Sequence, residues 1–268
     1  MPDSRKSCGA CCGLYNVANG ARPGMFGRLG RRTELFARVE RTSAAILDYE
    51  AIIREAQPVP LDPDIHVCEF LGFVDAESRL VGCLLHPLSP GNRGIDLRGL
   101  CHYGSMACKA FYCPAWTAIA PRHREILMEL LDDWHLYGLV VTDVDFVASV
   151  FGLAEERLSR PMVSADLADA RIRDLTTRAL AWKDRWPLTS GAFRRRSRYY
   201  FKQGSTQDGD DRPRSMERLL ECLRFTFGKD FDVTAAEIIV NETFDELEDA
   251  LKSGSGLTMA SALKKLHG

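Results

Sequence analysis

No stretch of the 268 residues approaches the roughly 18 consecutive apolar residues that a membrane-spanning helix needs, so a helical span is not expected. The opening Met1-Pro2-Asp3-Ser4-Arg5-Lys6-Ser7 has no apolar core behind it, which argues against a secretory signal and for a cytoplasmic protein. Neither sign of charge dominates. The 35 Lys and Arg against 37 Asp and Glu leave a formal charge of -2, with no global pull toward nucleic acid or anionic lipid. There is no G-x-x-x-x-G-K-[ST] loop, no strand–G-x-G-x-x-G–helix, no G-x-S-x-G elbow and no H-E-x-x-H pair. A nucleotide enzyme, hydrolase or zinc peptidase therefore has no positive support. The acidic groups Asp132-Asp133 and Asp208/Asp210/Asp211 read as solvated faces. No repeat of about 20–50 residues is visible.

The remaining composition is that of an ordinary globular chain, 46% apolar and 27% charged. Its length suits one large or two modest domains and buries a core without crosslinks. The cysteines depart from this background. Eight of the nine (Cys8, Cys11, Cys12, Cys68, Cys83, Cys101, Cys108 and Cys113) fall in the first 113 residues, and only Cys222 follows.

This clustering divides the chain into a cysteine-rich part, 1–121, and a second part, 122–268. In the first part, Gly9, Gly13, Gly20, Gly24, Gly27 and Gly30 loosen the opening thirty residues. One long helix is expected from about Thr33 to Gln57, with Leu35, Phe36, Val39, Ile46 and Ile53 at helical spacing and Pro58, Pro60 and Pro63 ending it. Two short apolar runs, 68–74 and 80–85, flank the polar Asp75-Ala76-Glu77-Ser78-Arg79 and predict a hairpin. Residues 89–94 form a loop, and 101–113 is a second cysteine-dense stretch.

From Pro121 onward helical patterns recur, near 143–150, 154–160, 164–185, 214–227, 234–251 and 257–266. Thr234-x-x-Glu237 and Thr243-x-x-Glu246 read as capping boxes, and the Gly/Asp-rich 203–213 as a mobile loop. The fold class expected is α+β, mostly α: a small metal-binding domain with a hairpin and one long helix, then an α-helical domain.

Two-residue spacing in Cys8-Gly9-Ala10-Cys11 lets a tight turn converge two thiolates. Cys11 and Cys12 are adjacent, so their side chains should diverge, serving one metal singly or two neighbouring metals. Cys108-x4-Cys113 closes a second local pair, and Cys68 and Cys83 flank the hairpin. Together these supply up to eight thiolates, enough for two four-ligand sites. Of the nearby His66, His86 and His102, the last is the best further ligand because it follows Cys101.

Competing readings are weaker. A disulfide framework fits poorly with an odd cysteine count and a chain that needs no staples. A thioredoxin-like pair at Cys8/Cys11 lacks a βαβ setting. Buried unligated cysteines account for one or two positions, such as Cys222, not for eight.

The order of four motifs resembles a known family. Ser7-Cys8-Gly9-Ala10-Cys11-Cys12-Gly13, Cys68-Glu69-Phe70-Leu71, Gly82-Cys83-Leu84-Leu85-His86-Pro87 and Cys108-x4-Cys113-Pro114 are similar to the bacterial cysteine-cluster proteins of the YkgJ type. These are described as chelating zinc or iron through a CxxCxxCC signature. The resemblance covers about residues 5–115, roughly two fifths of the chain. Arg5 stands where the longer signature has its first cysteine, and an insertion at 87–107 brings the extra Cys101 that could substitute for it. The resemblance implies metal chelation by a subset of the eight cysteines.

Thiolates suit both zinc and iron–sulfur clusters. A structural zinc site would be closed and tetrahedral, with Zn–S near about 2.3 Å. The C-x2-C-x2-C-x3-C-P run of bacterial ferredoxins is absent, although Cys113-Pro114 supplies a Cys-Pro terminus. The surplus of thiolates tips the expectation toward an iron–sulfur cluster or other iron centre, with zinc as the alternative.

Two further features offer other functions. Arg194-Arg195-Arg196-Ser197-Arg198-Tyr199-Tyr200-Phe201-Lys202 interleaves cations with aromatics, a pattern that can hold phosphates and stack bases. A metal-stabilised nucleic-acid-binding or regulatory module is therefore the alternative function, less favoured than a loop docked on the helical domain. Residues 143–160 resemble a helix-turn-helix about Gly152, but Glu155-Glu156 would face phosphates badly. A third possibility is an enzyme with an open iron or zinc position.

Overall fold

The computed structural model describes residues 6–17, 20–189, 198–199, 214–228 and 231–266, with the side chains of 105 and 254–266 excepted. The chain is mostly helical, with one small two-stranded antiparallel sheet. Helices α1 (Arg22–Ala37) and α2 (Ser43–Glu55) precede the hairpin of β1 (Leu71–Phe73) and β2 (Val81–Cys83). Short helices α3 (Gly104–Ala110) and α4 (Pro114–Ala118) follow it. The second part contains α5 (Pro121–Leu130), α6 (Trp134–Val141), α7 (Val144–Leu158), α8 (Ala170–Ala181), α9 (Ser215–Phe227) and α10 (Val233–Leu266).

The expected long helix at Thr33–Gln57 is two helices. The first begins eleven residues earlier than that start, at Arg22, with Pro23 in its opening turn where a missing N–H costs nothing. It therefore absorbs Gly24, Gly27 and Gly30 rather than being loosened by them. Its buried stripe of Met25, Leu29, Arg32 and Phe36 supplies the stabilisation that those glycines withhold. The break falls at 38–42, where the Arg41 guanidinium donates to the carbonyls of Phe36 and Val39 that a continuing helix would have used. Thr42 then caps α2, its hydroxyl accepting from the Ala45 N–H at 3.3 Å.

The hairpin follows the expected pattern, with Leu71 opposite Cys83, Gly72 opposite Gly82 and Phe73 opposite Val81. Asp75 holds the turn, its carboxylate accepting from the N–H groups of Arg79 at 3.0 Å and Leu80 at 2.7 Å. Thr33 ties α1 to the sheet, accepting from the Phe73 N–H at 2.7 Å and donating to the Phe73 carbonyl at 3.2 Å. Buried Asn92 secures the 86–95 loop by donating to the carbonyls of Leu84 and His86.

Two apolar cores result. One joins α1, α2 and the hairpin through residues such as Met25, Phe36, Tyr49, Phe70, Phe73 and Leu85. The other joins α5 to α10 through Ile126, Phe146, Phe151, Leu175, Trp182, Leu223 and Phe244. Helix α6 serves both, with Trp134 and Leu139 in the first and Tyr137, Val140 and Val141 in the second. Tyr15 binds the two parts, donating to the carbonyls of Trp134 and His135, and Arg22 pairs with Asp133 at 2.7 Å.

In the second part, Val144–Leu158 is a single uninterrupted helix, so the helix-turn-helix reading does not hold. Gly152 sits in mid-helix, and burial of Phe146, Val150, Phe151 and Leu153 outweighs the modest helix penalty of one glycine. The patterns at 234–251 and 257–266 likewise belong to one helix, α10. Asp232 rather than Thr234 caps its start, accepting from the Ala235 N–H at 3.0 Å, and Thr243 lies inside it. The expected loop at 203–213 lies outside the described residues. Among the described residues, no single helix is long and apolar enough to cross a membrane.

Candidate metal centre

Cys8 and the Ala10–Cys12 helical turn lie on a chain bent by two left-handed glycines, Gly9 at φ 60° and Gly13 at φ 76°. Only glycine adopts such angles at no steric cost. Gly13 is also where the turn meets the 66–68 segment. A Cβ there would overlap the carbonyl oxygen of His66 and lie 2.8 Å from Val67 Cα. The close approach brings the Cys12 carbonyl to the Cys68 N–H at 2.9 Å. Buried Asn16 fixes the next stretch, donating to the carbonyls of Asp62 at 2.8 Å and Ile65 at 2.7 Å and accepting from the Asp62 N–H at 2.8 Å.

The hairpin register places Cys83 beside Leu71, and the Leu84 N–H bonds to the Phe70 carbonyl at 2.8 Å, so Cys83 sits where β2 passes the segment that follows Cys68. Cys101 and Cys108 meet across the start of α3, their sulfurs 3.1 Å apart. Arg98 links this pair to the body, donating to the Cys108 carbonyl at 3.2 Å and pairing with Asp96 at 2.8 Å. Cys113 precedes α4. All nine cysteines are free thiols, with Cys68, Cys101 and Cys222 buried and the other six partly so.

The eight N-terminal thiols thus gather from four separated stretches, while Cys222 lies in the helical core. Cys11 and Cys12 are adjacent in the Ala10–Cys12 helical turn. The two thiols influence each other, which lowers Cys11 and raises Cys12. Burial pushes Cys8 up to about 12, helped by the neighbouring charges of Cys11 and Cys113. Burial likewise raises Cys68, with Cys83 and Cys101 as its charged neighbours. Cys83 is pushed up to about 11, again first by burial and then by Cys101, with Arg98 opposing. Burial and Cys101 together push Cys108 up to about 12. A soft cation would displace these protons, which is the exchange that thiolate metal sites perform.

Among the described residues, no three His, Cys, Asp or Glu side chains stand close enough to one another to hold a metal as they are. The donor set still fits a thiophilic metal in kind, and rotation about each Cα–Cβ bond re-aims a sulfur without moving the backbone. The histidines contribute less. His66 bonds Glu69 at 3.1 Å and stacks on exposed His102 at 4.0 Å. His86 accepts from the Leu88 N–H through Nδ1.

Of the basic stretch, Arg194, Arg195 and Arg196 lie outside the described residues. Arg198 turns inward, pairing with Asp145 at 3.1 Å and lying over the Phe225 ring at 5.0 Å. Tyr199 is buried against the N-terminal core.

A polar group that no sequence motif marks is fully buried in the helical half. Lys183 donates to Asp143 at 2.6 Å and to Thr226 at 2.8 Å, with both ions about 1% exposed or less. An isolated Lys and Asp forty residues apart carry no sequence signal of their pairing. The chain matches no protein-family model, no curated protein and no solved structure.

Proposed function

We propose that the N-terminal half chelates a thiophilic metal through a subset of Cys8, Cys11, Cys12, Cys68, Cys83, Cys101, Cys108 and Cys113. Iron in an iron–sulfur cluster is the first choice and zinc the second. One observation carries this reading: eight cysteines from four separated stretches are brought into one region by left-handed glycines, a hairpin and a short helix. Packing needs no such surplus, since a buried thiol serves merely as a small hydrophobe. The order of motifs over about residues 5–115, similar to the YkgJ type, supports the same chemistry. When bound, such a centre supplies either a crosslink between the four stretches or a redox centre. The chain's own part is to hold the thiols in reach, screen them by burial and place the Arg98 cation beside Cys83 and Cys108. A reducing cytoplasm suits a site that depends on free thiols.

The test is replacement of Cys8, Cys11 and Cys108 with serine. Chelation predicts a loss of bound metal and reduced stability. Unchanged metal content together with unchanged folding would overturn it.

A further inference from the structure

We infer that Cys101 and Cys108 are a redox pair, which a small-molecule disulfide converts reversibly into a Cys101–Cys108 disulfide. The bond takes two of the eight thiols out of reach of a metal, and this last step alone rests on the chelation reading. The carrying observation is a distance. The two sulfurs stand 3.1 Å apart, about 1 Å more than the roughly 2.05 Å of an S–S bond. Two sulfurs suffice for that bond. Among the described residues, no third His, Cys, Asp or Glu side chain stands close enough for the group to hold a metal as it is.

The surrounding chain keeps the pair together. A short helical turn, Arg98–Leu100, leads into Cys101, whose carbonyl accepts from the Gly104 N–H at 3.0 Å. Gly104, left-handed at φ 71°, turns the chain into α3, and Cys108 follows about one helical turn later. Arg98 grips both partners. Its carbonyl accepts from the Cys101 thiol at 3.2 Å, and its guanidinium donates to the Cys108 carbonyl at 3.2 Å. Asp96 fixes that guanidinium, pairing with it at 2.8 Å and with Lys109 of α3 at 3.2 Å. Cys101 is buried and Cys108 half-buried, so Cys108 is the sulfur that a solute meets first. Bridges within reach of solutes are the labile ones that reductants reopen. In a reducing compartment such transient bridges serve redox sensing rather than structure.

The exchange balances. The Cys108 thiolate attacks one sulfur of the small disulfide, whose S–S bond breaks and releases one thiolate. The Cys101 thiolate then attacks the Cys108 sulfur, forming the internal bond and releasing the second thiolate. The two protons and two electrons given up by the protein end on the two released thiols. Burial and Cys101 hold the Cys108 proton, which slows the first attack, so the pair is read at equilibrium rather than by its rate.

Trypsin isolates the pair, because Arg98 and Lys109 bound a peptide, 99–109, that holds Cys101 and Cys108 and no other cysteine. Full-length, metal-free protein is equilibrated with oxidised glutathione, alkylated under denaturation and mapped by mass. A second portion is freed of glutathione and loaded with zinc(II). The expected 99–109 peptide is lighter by two hydrogens and unlabelled, and dithiothreitol restores a label on each cysteine. Zinc per chain should fall by about half against the reduced protein, since six thiols fill one four-ligand site rather than two. In Cys101→Ser/Cys108→Ser, checked for folding by circular dichroism, oxidised glutathione should leave zinc unchanged. A 99–109 peptide that keeps both labels, retains glutathione or links to another cysteine would overturn the redox pair and leave chelation untouched. An internal disulfide with undiminished zinc, or an equal fall in the folded double variant, would overturn the withdrawal of these thiols from the chelating set. Reduced protein that binds no zinc or iron overturns chelation itself and not the pair.

Discussion

Gly13→Ala is the substitution that most sharply tests how the thiols are brought together. At φ 76° the left-handed conformation costs an alanine about 1–2 kcal/mol. Its methyl would also overlap the carbonyl oxygen of His66 and lie 2.8 Å from Val67 Cα, and both are backbone atoms that cannot swing aside as a side chain does. Forcing an extra methyl into such a contact costs typically about 1–3 kcal/mol. The expected loss is therefore about 2–5 kcal/mol. With a urea slope near 2 kcal/mol/M, the unfolding midpoint should fall by about 1–2.5 M. Because the displacement separates the Cys12 carbonyl from the Cys68 N–H, metal content should fall as well. Gly27→Ala is the control: its φ is not positive, no atom lies within 4 Å of the added methyl, and α1 surrounds it. Alanine should stabilise there by up to about 1 kcal/mol. A Gly13→Ala variant with an unchanged midpoint and unchanged metal would refute the claim that this glycine permits the approach.

Lys183→Met leaves the Asp143 carboxylate buried without its ammonium partner, and should cost about 3–5 kcal/mol by chemical denaturation. Adding Asp143→Asn, which keeps an oxygen to cap Phe146, should recover part of that loss; a double variant as unstable as the sum of the singles would contradict the pairing. Glu155 is pushed up by burial, but Arg122, His123 and the Met162 N–H outweigh that and hold it at about 2, below the ordinary 4.5. A depressed carboxylate stabilises above its unfolded value and loses that contribution as pH falls through its folded one. The Tm of Glu155→Gln should accordingly lie below the parent's at neutral pH, with the gap closing between about pH 4.5 and pH 2. A gap that stayed constant across that range would contradict the assignment.

The hairpin was legible because its signal is local: two apolar runs about a turn that one aspartate can hold. The N-terminal helices were not, for two opposite reasons. Helical spacing continues through residues 35–53, so periodicity carries no mark of the Arg41 side chain that takes the Phe36 and Val39 carbonyls. Glycines at 24, 27 and 30 signal looseness, whereas the compensating burial of Met25, Leu29 and Phe36 comes from tertiary partners. The same tertiary burial carries α7 through Gly152, where the local pattern suggests a turn. For the site, cysteine spacing named the eight candidates, since neither packing nor disulfide formation calls for so many thiols clustered in sequence.

The central claim is chelation, and it is tested most directly by metal and acid-labile sulfide content on protein purified without oxygen, together with its visible spectrum. The account predicts bound metal: iron with sulfide and a brown colour absorbing near about 400 nm, or, for the second choice, stoichiometric zinc and no colour. Neither metal, with the eight N-terminal thiols counted as free once the protein is denatured, would contradict it.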